Sequence, residues 1–179
     1  MSRWILKKGA LKCGTCLLLL GLLFGGQAIE SAPLAEVNQA TITEAAVDEA
    51  VQTYLRQIGH RKLSLSRMTT LKKEALTRLI EEELLYQEGL KEAMVVTEDE
   101  VEEEVMEIRQ RFPSSEAFEA ALKKKELTLE EIKKGVRRFV LIRKTRDSIS
   151  QLTETDRRNR LKEITENAVI KIHEDLLVR

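Results

Sequence analysis

Cysteine, proline and aromatic residues are all scarce in this sequence. The two cysteines, Cys13 and Cys16, both precede a hydrophobic run near the start. A disulfide-built fold is therefore excluded, and the rest of the chain must hold together by packing. Only Pro33 and Pro113 can interrupt helices, so long uninterrupted helices are permitted. Aromatics make up 4% of the 179 residues and charged residues 34%, a balance that favours ion-paired helical surfaces over a β-sandwich. The two histidines, His60 and His173, have neither a cysteine neighbour nor a second histidine at ligand spacing. There is no Gly-x-Ser-x-Gly elbow and no glycine-rich phosphate loop. Lys plus Arg equals Asp plus Glu, 30 against 30, and Lys123-Lys124-Lys125 and Arg137-Arg138 carry no interleaved aromatics for stacking bases. Catalytic, metal, cofactor and nucleic-acid readings all lack their residues.

Long apolar runs are also missing, with one exception. Arg3, Lys7, Lys8 and Lys12 form a basic start, and the stretch Cys13 to Ile29 is free of charge around Leu17-Leu18-Leu19-Leu20-Gly21-Leu22-Leu23-Phe24. Gly26-Gln27-Ala28 then places small residues at the −3 and −1 positions of a cleavage site, so residues 1–28 are expected to be a secretory signal peptide. The run is short beside the roughly 20 residues of a membrane span; an uncleaved tether is the alternative. Cleavage after Ala28 removes four basic residues, no acidic ones and both cysteines. The expected location is the periplasm, without stable membrane insertion.

What remains, 29–179, is expected to be one domain. Leu34-Ala35-Glu36-Val37 and Ala40-Thr41-Ile42 read as strands around the turn pair Asn38-Gln39. Thr43 caps a helix carrying Val47, Val51, Tyr54, Leu55 and Ile58, which Gly59 ends. His60 to Thr69 is expected to be a loop. Leu71, Ala75, Leu76, Leu79, Ile80, Leu84, Leu85 and Leu90 mark the longest helix, whose broad apolar face suits a central position. Thr97 with Glu100 and Thr128 with Glu131 are capping boxes, and Ser114 or Ser115 and Thr153 open two further helices. Ala168 to His173 alternates apolar and polar residues, as a half-buried strand does. A strand needs a partner for its backbone groups, and the only candidates lie at the other end of the domain. The fold class is therefore mainly α, about six helices with a small β element pairing the two ends. Glu98-Asp99-Glu100, Glu102-Glu103-Glu104 and Glu81-Glu82-Glu83 are expected to be solvated helix faces, since no loop offers the convergent oxygens of a calcium site. Local ion pairs are expected at Glu130–Lys134 and Glu107–Arg111.

Several pieces, in order, carry a resemblance: Val37-Asn38-Gln39-Ala40-Thr41-Ile42-Thr43, Leu76 to Gly89, Val95 to Val101, Phe118-Glu119-Ala120-Ala121-Leu122 and Leu127 to Ile132. Together they resemble the N-terminal chaperone domain of SurA-like periplasmic proteins, where Asn-Gly is commoner than this chain's Asn-Gln. The resemblance implies a core over 37–150 and a return helix and strand over 153–179. Parvulin-type prolyl isomerase domains usually follow this module; here the closing helix is expected within a few residues of Ser150, so no isomerase domain is expected. The implied activity is an ATP-independent holdase for unfolded or partly folded exported or outer-membrane polypeptides, and not an enzyme. A dedicated interaction or assembly subunit, or a prolyl isomerase, are the alternatives. Client-binding candidates are Met68, Tyr86, Met94, Met106, Phe112 and Phe118; Tyr54, Leu79, Ile80 and Val136 are expected in the core. A terminal strand that closes the domain in cis can also close a neighbour, so a homodimer by strand or helix exchange stays open.

Overall fold

The chain enters the fold through a hairpin. In the computed structural model, which describes residues 32–59 and 63–173, β1 (Pro33–Val37) turns at Asn38-Gln39 into β2 (Ala40–Thr43). Asn38 takes the left-handed conformation at φ 56°, which asparagine tolerates better than most residues. Gln39, which follows it, does not take a positive φ, so glycine is not required there. The Asn38 amide donates to Gln87 Oε1 at 2.6 Å, and Asn38 Oδ1 accepts from the Val169 N–H at 2.9 Å. The turn is thereby tied to the central helix and to the end of the chain.

Six helices follow among the described residues: α1 (Glu44–Gln57), α2 (Leu65–Lys91), α3 (Glu98–Arg109), α4 (Ser115–Lys124), α5 (Leu129–Ser150) and α6 (Glu154–Glu166). Each starts on a Ser or Thr whose hydroxyl accepts from a first-turn N–H: Thr43, Ser64, Thr97, Ser114, Thr128 and Thr153. Such caps are each worth about 1 kcal/mol. Both expected capping boxes form. Gly59 follows α1 at φ 78°. The expected loop at His60–Thr69 is too long: Ser64 caps α2, which begins at Leu65. Thr69 and Thr70 bond back to the carbonyls of Leu65 and Ser66, so polar residues occupy an exposed first stretch while Met68 packs beside Leu71. The strand β3 (Ile170–Ile172) closes a sheet of order β2-β1-β3. It pairs antiparallel with β1, Val37 opposite Ile170 and Ala35 opposite Ile172. The two ends of the described chain do meet, as the alternation at Ala168–His173 requires.

Two apolar cores share α5. Its first half, through Ile132, Val136 and Val140, packs on Val101, Val105, Ile108, Phe118 and Leu122 of α3 and α4. Its second half, through Ile142 and Ile149, joins the sheet, α2 and Ile164 of α6. The expected core residues Leu79, Ile80 and Val136 are buried, whereas Tyr54 is 42% exposed. The reason is helical phase: Val47, Val51 and Leu55 at i, i+4 and i+8 form the inward stripe of α1, and Tyr54 lies at its edge.

The acidic clusters are not simply solvated. Among the described residues the expected pairs Glu130–Lys134 and Glu107–Arg111 do not form, and other cations of α5 reach across to other helices. Lys133 bonds Glu102, Arg137 bonds Glu98, Arg143 bonds Glu104, and Lys144 reaches Glu100 at 2.7 Å. Glu83 is buried on α2, paired to Arg138 at 2.5 Å.

Candidate functional site

A groove of about 1180 Å³ runs between α1, α2 and the α5–α6 corner. It exists because the helices supply small residues where they would otherwise touch. Ala46 and Ala50 of α1 and Ala75 of α2 form the near walls, half-buried and packed against the core. Leu79, Leu85, Ile149 and Ile164 lie along the floor. Tyr54 stands at the α1 edge, and Leu161 projects from α6.

Charges of both signs ring this apolar floor. Arg67 and Glu74 pair at 3.6 Å, Arg78 and Glu82 at 3.0 Å, and all four line the groove together with Arg146 and Glu81. Partial burial pushes the Glu81 carboxyl above its ordinary range; Arg146 and Arg78 pull it back down and Glu82 adds to the rise. Behind the groove Lys72 joins α2 to α1. The Lys72 ammonium donates to Asp48 at 2.9 Å, and that bond holds its pKa above the usual lysine value. The arrangement suits reversible covering of an apolar segment, with rim charges available to polar flanks. Among the described residues no group of three or more His, Cys, Asp or Glu is arranged to hold a metal ion. No helix among them is long and apolar enough to cross a membrane.

None of the six side chains chosen from sequence lines this groove, and they are scattered over the fold except for Phe112 and Phe118, which meet. Phe118 is 2% exposed in the α3–α4–α5 core, with Phe112 edge-on against it at 5.3 Å. Tyr86 lies under the Arg138 guanidinium, 4.0 Å from its ring centre. Met94 abuts the hydroxyl of Thr145, Met68 packs on the α1–α2 cluster, and Met106 is 55% exposed on α3. Sequence reading missed the groove because aromatic and methionine residues do not line most of it. The available signal was the second, small-residue stripe on α1, Ala46 and Ala50 leading to Tyr54, beside the stripe that fills the core.

No curated protein matches the sequence. Against protein families, residues 7–146 match the SurA-like N-terminal domain. The match spans the segment read as a signal peptide, the hairpin and α1 to α4, and it stops inside α5, so α6 and β3 lie beyond it. With more than half of its 179 residues matched in one stretch, the chain belongs to the family of SurA-like N-terminal domains, which are chaperone modules.

Proposed function

We propose that this protein is an ATP-independent holdase that covers apolar segments of unfolded exported polypeptides in the periplasm, after loss of residues 1–28. The observation that carries the reading is the groove between α1, α2 and the α5–α6 corner, apolar along its floor and charged around its rim. Unfolded exported chains expose alternating apolar segments that aggregate through unpaired strand edges. A groove of this composition shields such a segment through contacts that tolerate sequence variation. Release then follows from modest affinity, since the sequence carries no nucleotide-binding loop.

Contacts are assigned to Tyr54 and Leu161 at the groove, with Met106 as a separate exposed apolar point. Met68, Tyr86, Met94, Phe112 and Phe118 join the same reading as client contacts that become available only where their helices part.

The test is aggregation of a urea-unfolded outer-membrane protein on dilution, followed by light scattering with and without the purified chain. Suppression is expected, and it weakens with Tyr54→Glu, an exposed change that leaves the core intact. No suppression at several-fold excess refutes the holdase reading. A pull-down returning one stoichiometric partner, in place of a spread of exported proteins, replaces it with a dedicated assembly role.

A further inference from the structure

The groove is large, yet much of its apolar lining is shut away from water. Leu79, Leu85, Ile149 and Ile164 line it and are all buried. The lining that does face solvent is more apolar than polar, so a segment can already lie in the closed groove. Hydrophobic stabilisation scales with apolar area removed from water, and it grows if a moving wall uncovers these four side chains.

The walls are unequally attached. α5 runs through both cores and α2 places Leu76, Leu79, Ile80, Leu84 and Leu85 in one of them, whereas α6 buries one residue, Ile164, with Leu161 half-buried beside it. β3 is three residues long, pairs only with β1 among the described strands, and leaves Ile172 47% exposed. Polar ties supply much of the remaining attachment. Arg160 fans its guanidinium over Glu88, Glu92 and Glu163, and Lys171 meets Glu36 at 3.2 Å. The joint to α5 is Gln151-Leu152-Thr153, exposed throughout. On one side the Gln151 N–H closes onto Asp147, and on the other Thr153 Oγ1 caps α6 by accepting from Asp156. Each helix is thus finished independently, and the joint can turn without uncapping either.

We propose that α6 and β3 form a strap that swings off α2 about Gln151–Thr153 to admit a polypeptide into the groove, with Arg160 as its latch. The proposal rests on the groove being the client site. Four groove-lining residues, Arg157, Leu161, Ile164 and Thr165, travel with the strap, so one movement uncovers Leu85 and Ile149, which line the groove from α2 and α5. Glu88, 6% exposed beneath Arg160, sets the latch. Opening exchanges its ion pair for water and does not strand a buried charge, which keeps the motion within reach. The strap also lies outside the stretch that matches the family.

Two measurements on the full chain test this. In residue-resolved hydrogen exchange, the Asn38 and His173 amides, which donate to Val169 and Leu34 across the β1–β3 seam, are expected to exchange roughly tenfold or more faster than Leu84 and Val140. Arg160→Ala speeds the seam amides further and leaves the core amides unchanged. Seam and core exchanging together, with Arg160→Ala moving both alike, overturns the strap. For the second measurement Glu36→Cys and Lys171→Cys are introduced with Cys13→Ser and Cys16→Ser. Glu36 and Lys171 are register partners, and antiparallel partners sit about 4.5–5.5 Å apart at Cα, within disulfide reach. Association of a fluorescently labelled, permanently unfolded polypeptide is expected to slow roughly tenfold on oxidation and to recover on reduction, as a gated on-rate does. Equal rates in both redox states overturn the strap and leave the groove reading standing. No binding by the unmodified chain removes the groove reading, and the strap's role with it.

Discussion

Gly89→Ala gives the sharpest test of how α2 and α5 cross. On an exposed helix this change stabilises, because alanine exceeds glycine in helix propensity by about 0.8–1.0 kcal/mol. At Gly89 the added Cβ would lie 2.4 Å from Thr145 Oγ1 and 2.9 Å from both Cγ and Cδ1 of Leu141. Normal carbon contacts are about 3.5–4.0 Å, so something must move. Thr145 is fully buried, and its hydroxyl donates to the Leu141 carbonyl at 2.9 Å. Turning it away leaves a buried hydroxyl without its partner, at about 1–3 kcal/mol. Leaving it in place pushes the helices apart, an overpacking cost of similar size, about 1–3 kcal/mol. Either route exceeds the propensity gain over most of its range, and the expected net loss is about 1 kcal/mol. For a domain of this size that lowers Tm by roughly 2–4 °C. Thermal melts followed by far-UV circular dichroism measure it, with Thr145→Ala and the double variant completing a cycle. The double variant should recover part of the loss, since the closest clashing atom is gone. A Tm raised by Gly89→Ala would show that the crossing is looser than these contacts require.

Further outcomes follow from the ion pairs and caps. Arg138→Ala leaves Glu83 buried without its cation, with the Gln87 amide as its remaining donor, and bares Tyr86. A loss of roughly 2–4 kcal/mol in urea unfolding is expected, below the fully buried range because Arg138 is partly in water; Glu83→Gln added to it should restore stability, and no restoration counts against the pairing. Thr97→Ala removes the hydroxyl that accepts from the Glu100 N–H, leaves the backbone half of the capping box in place, and should cost about 1 kcal/mol by the same assay. Acid should destabilise the fold. Hydrogen bonds from Arg137 to Glu98, from Lys144 to Glu100 and from the Thr128 N–H to Glu131 hold these carboxyls below their ordinary value of 4.5. Groups lowered on folding stabilise above their unfolded pKa, and that contribution disappears as pH falls through the folded values. Glu81, raised by burial, works in the opposite sense and is outnumbered. Melting temperatures should therefore fall below about pH 4.5, less steeply in Glu98→Gln; a rise on acidification would contradict the assignment.

Much of the architecture was legible in the residues because its causes are local. The hydroxyls of Thr43, Thr97, Thr128 and Thr153 mark helix starts within four residues of chain. Apolar spacing of 3.6 fixes which face of each helix turns inward, and the alternation at Ala168–His173 demands a partner strand that only the N-terminal hairpin can offer. The pieces at Val37–Thr43 and Leu76–Gly89 carried the family resemblance for the same reason. Other features depend on what comes to lie opposite. Tyr54 lies at the edge of the inward stripe of α1 and is partly exposed, and only the fold shows that this edge borders the groove. Glu83, Glu98 and Glu104 look alike along the chain, and only the placement of Arg138, Arg137 and Arg143 on α5 separates a buried pair from a surface one. The groove is a space between elements, lined by leucines and isoleucines together with alanines, threonines and charges, and no spacing rule announces a space. Its strap likewise depends on how few residues α6 happens to bury. The sequence determined the elements, the joining of the ends and the family, because these follow from capping, periodicity and backbone hydrogen bonding. Tertiary structure alone decided where the apolar surface lies and which wall holds it least firmly, because both are differences between surfaces that meet only in the folded chain.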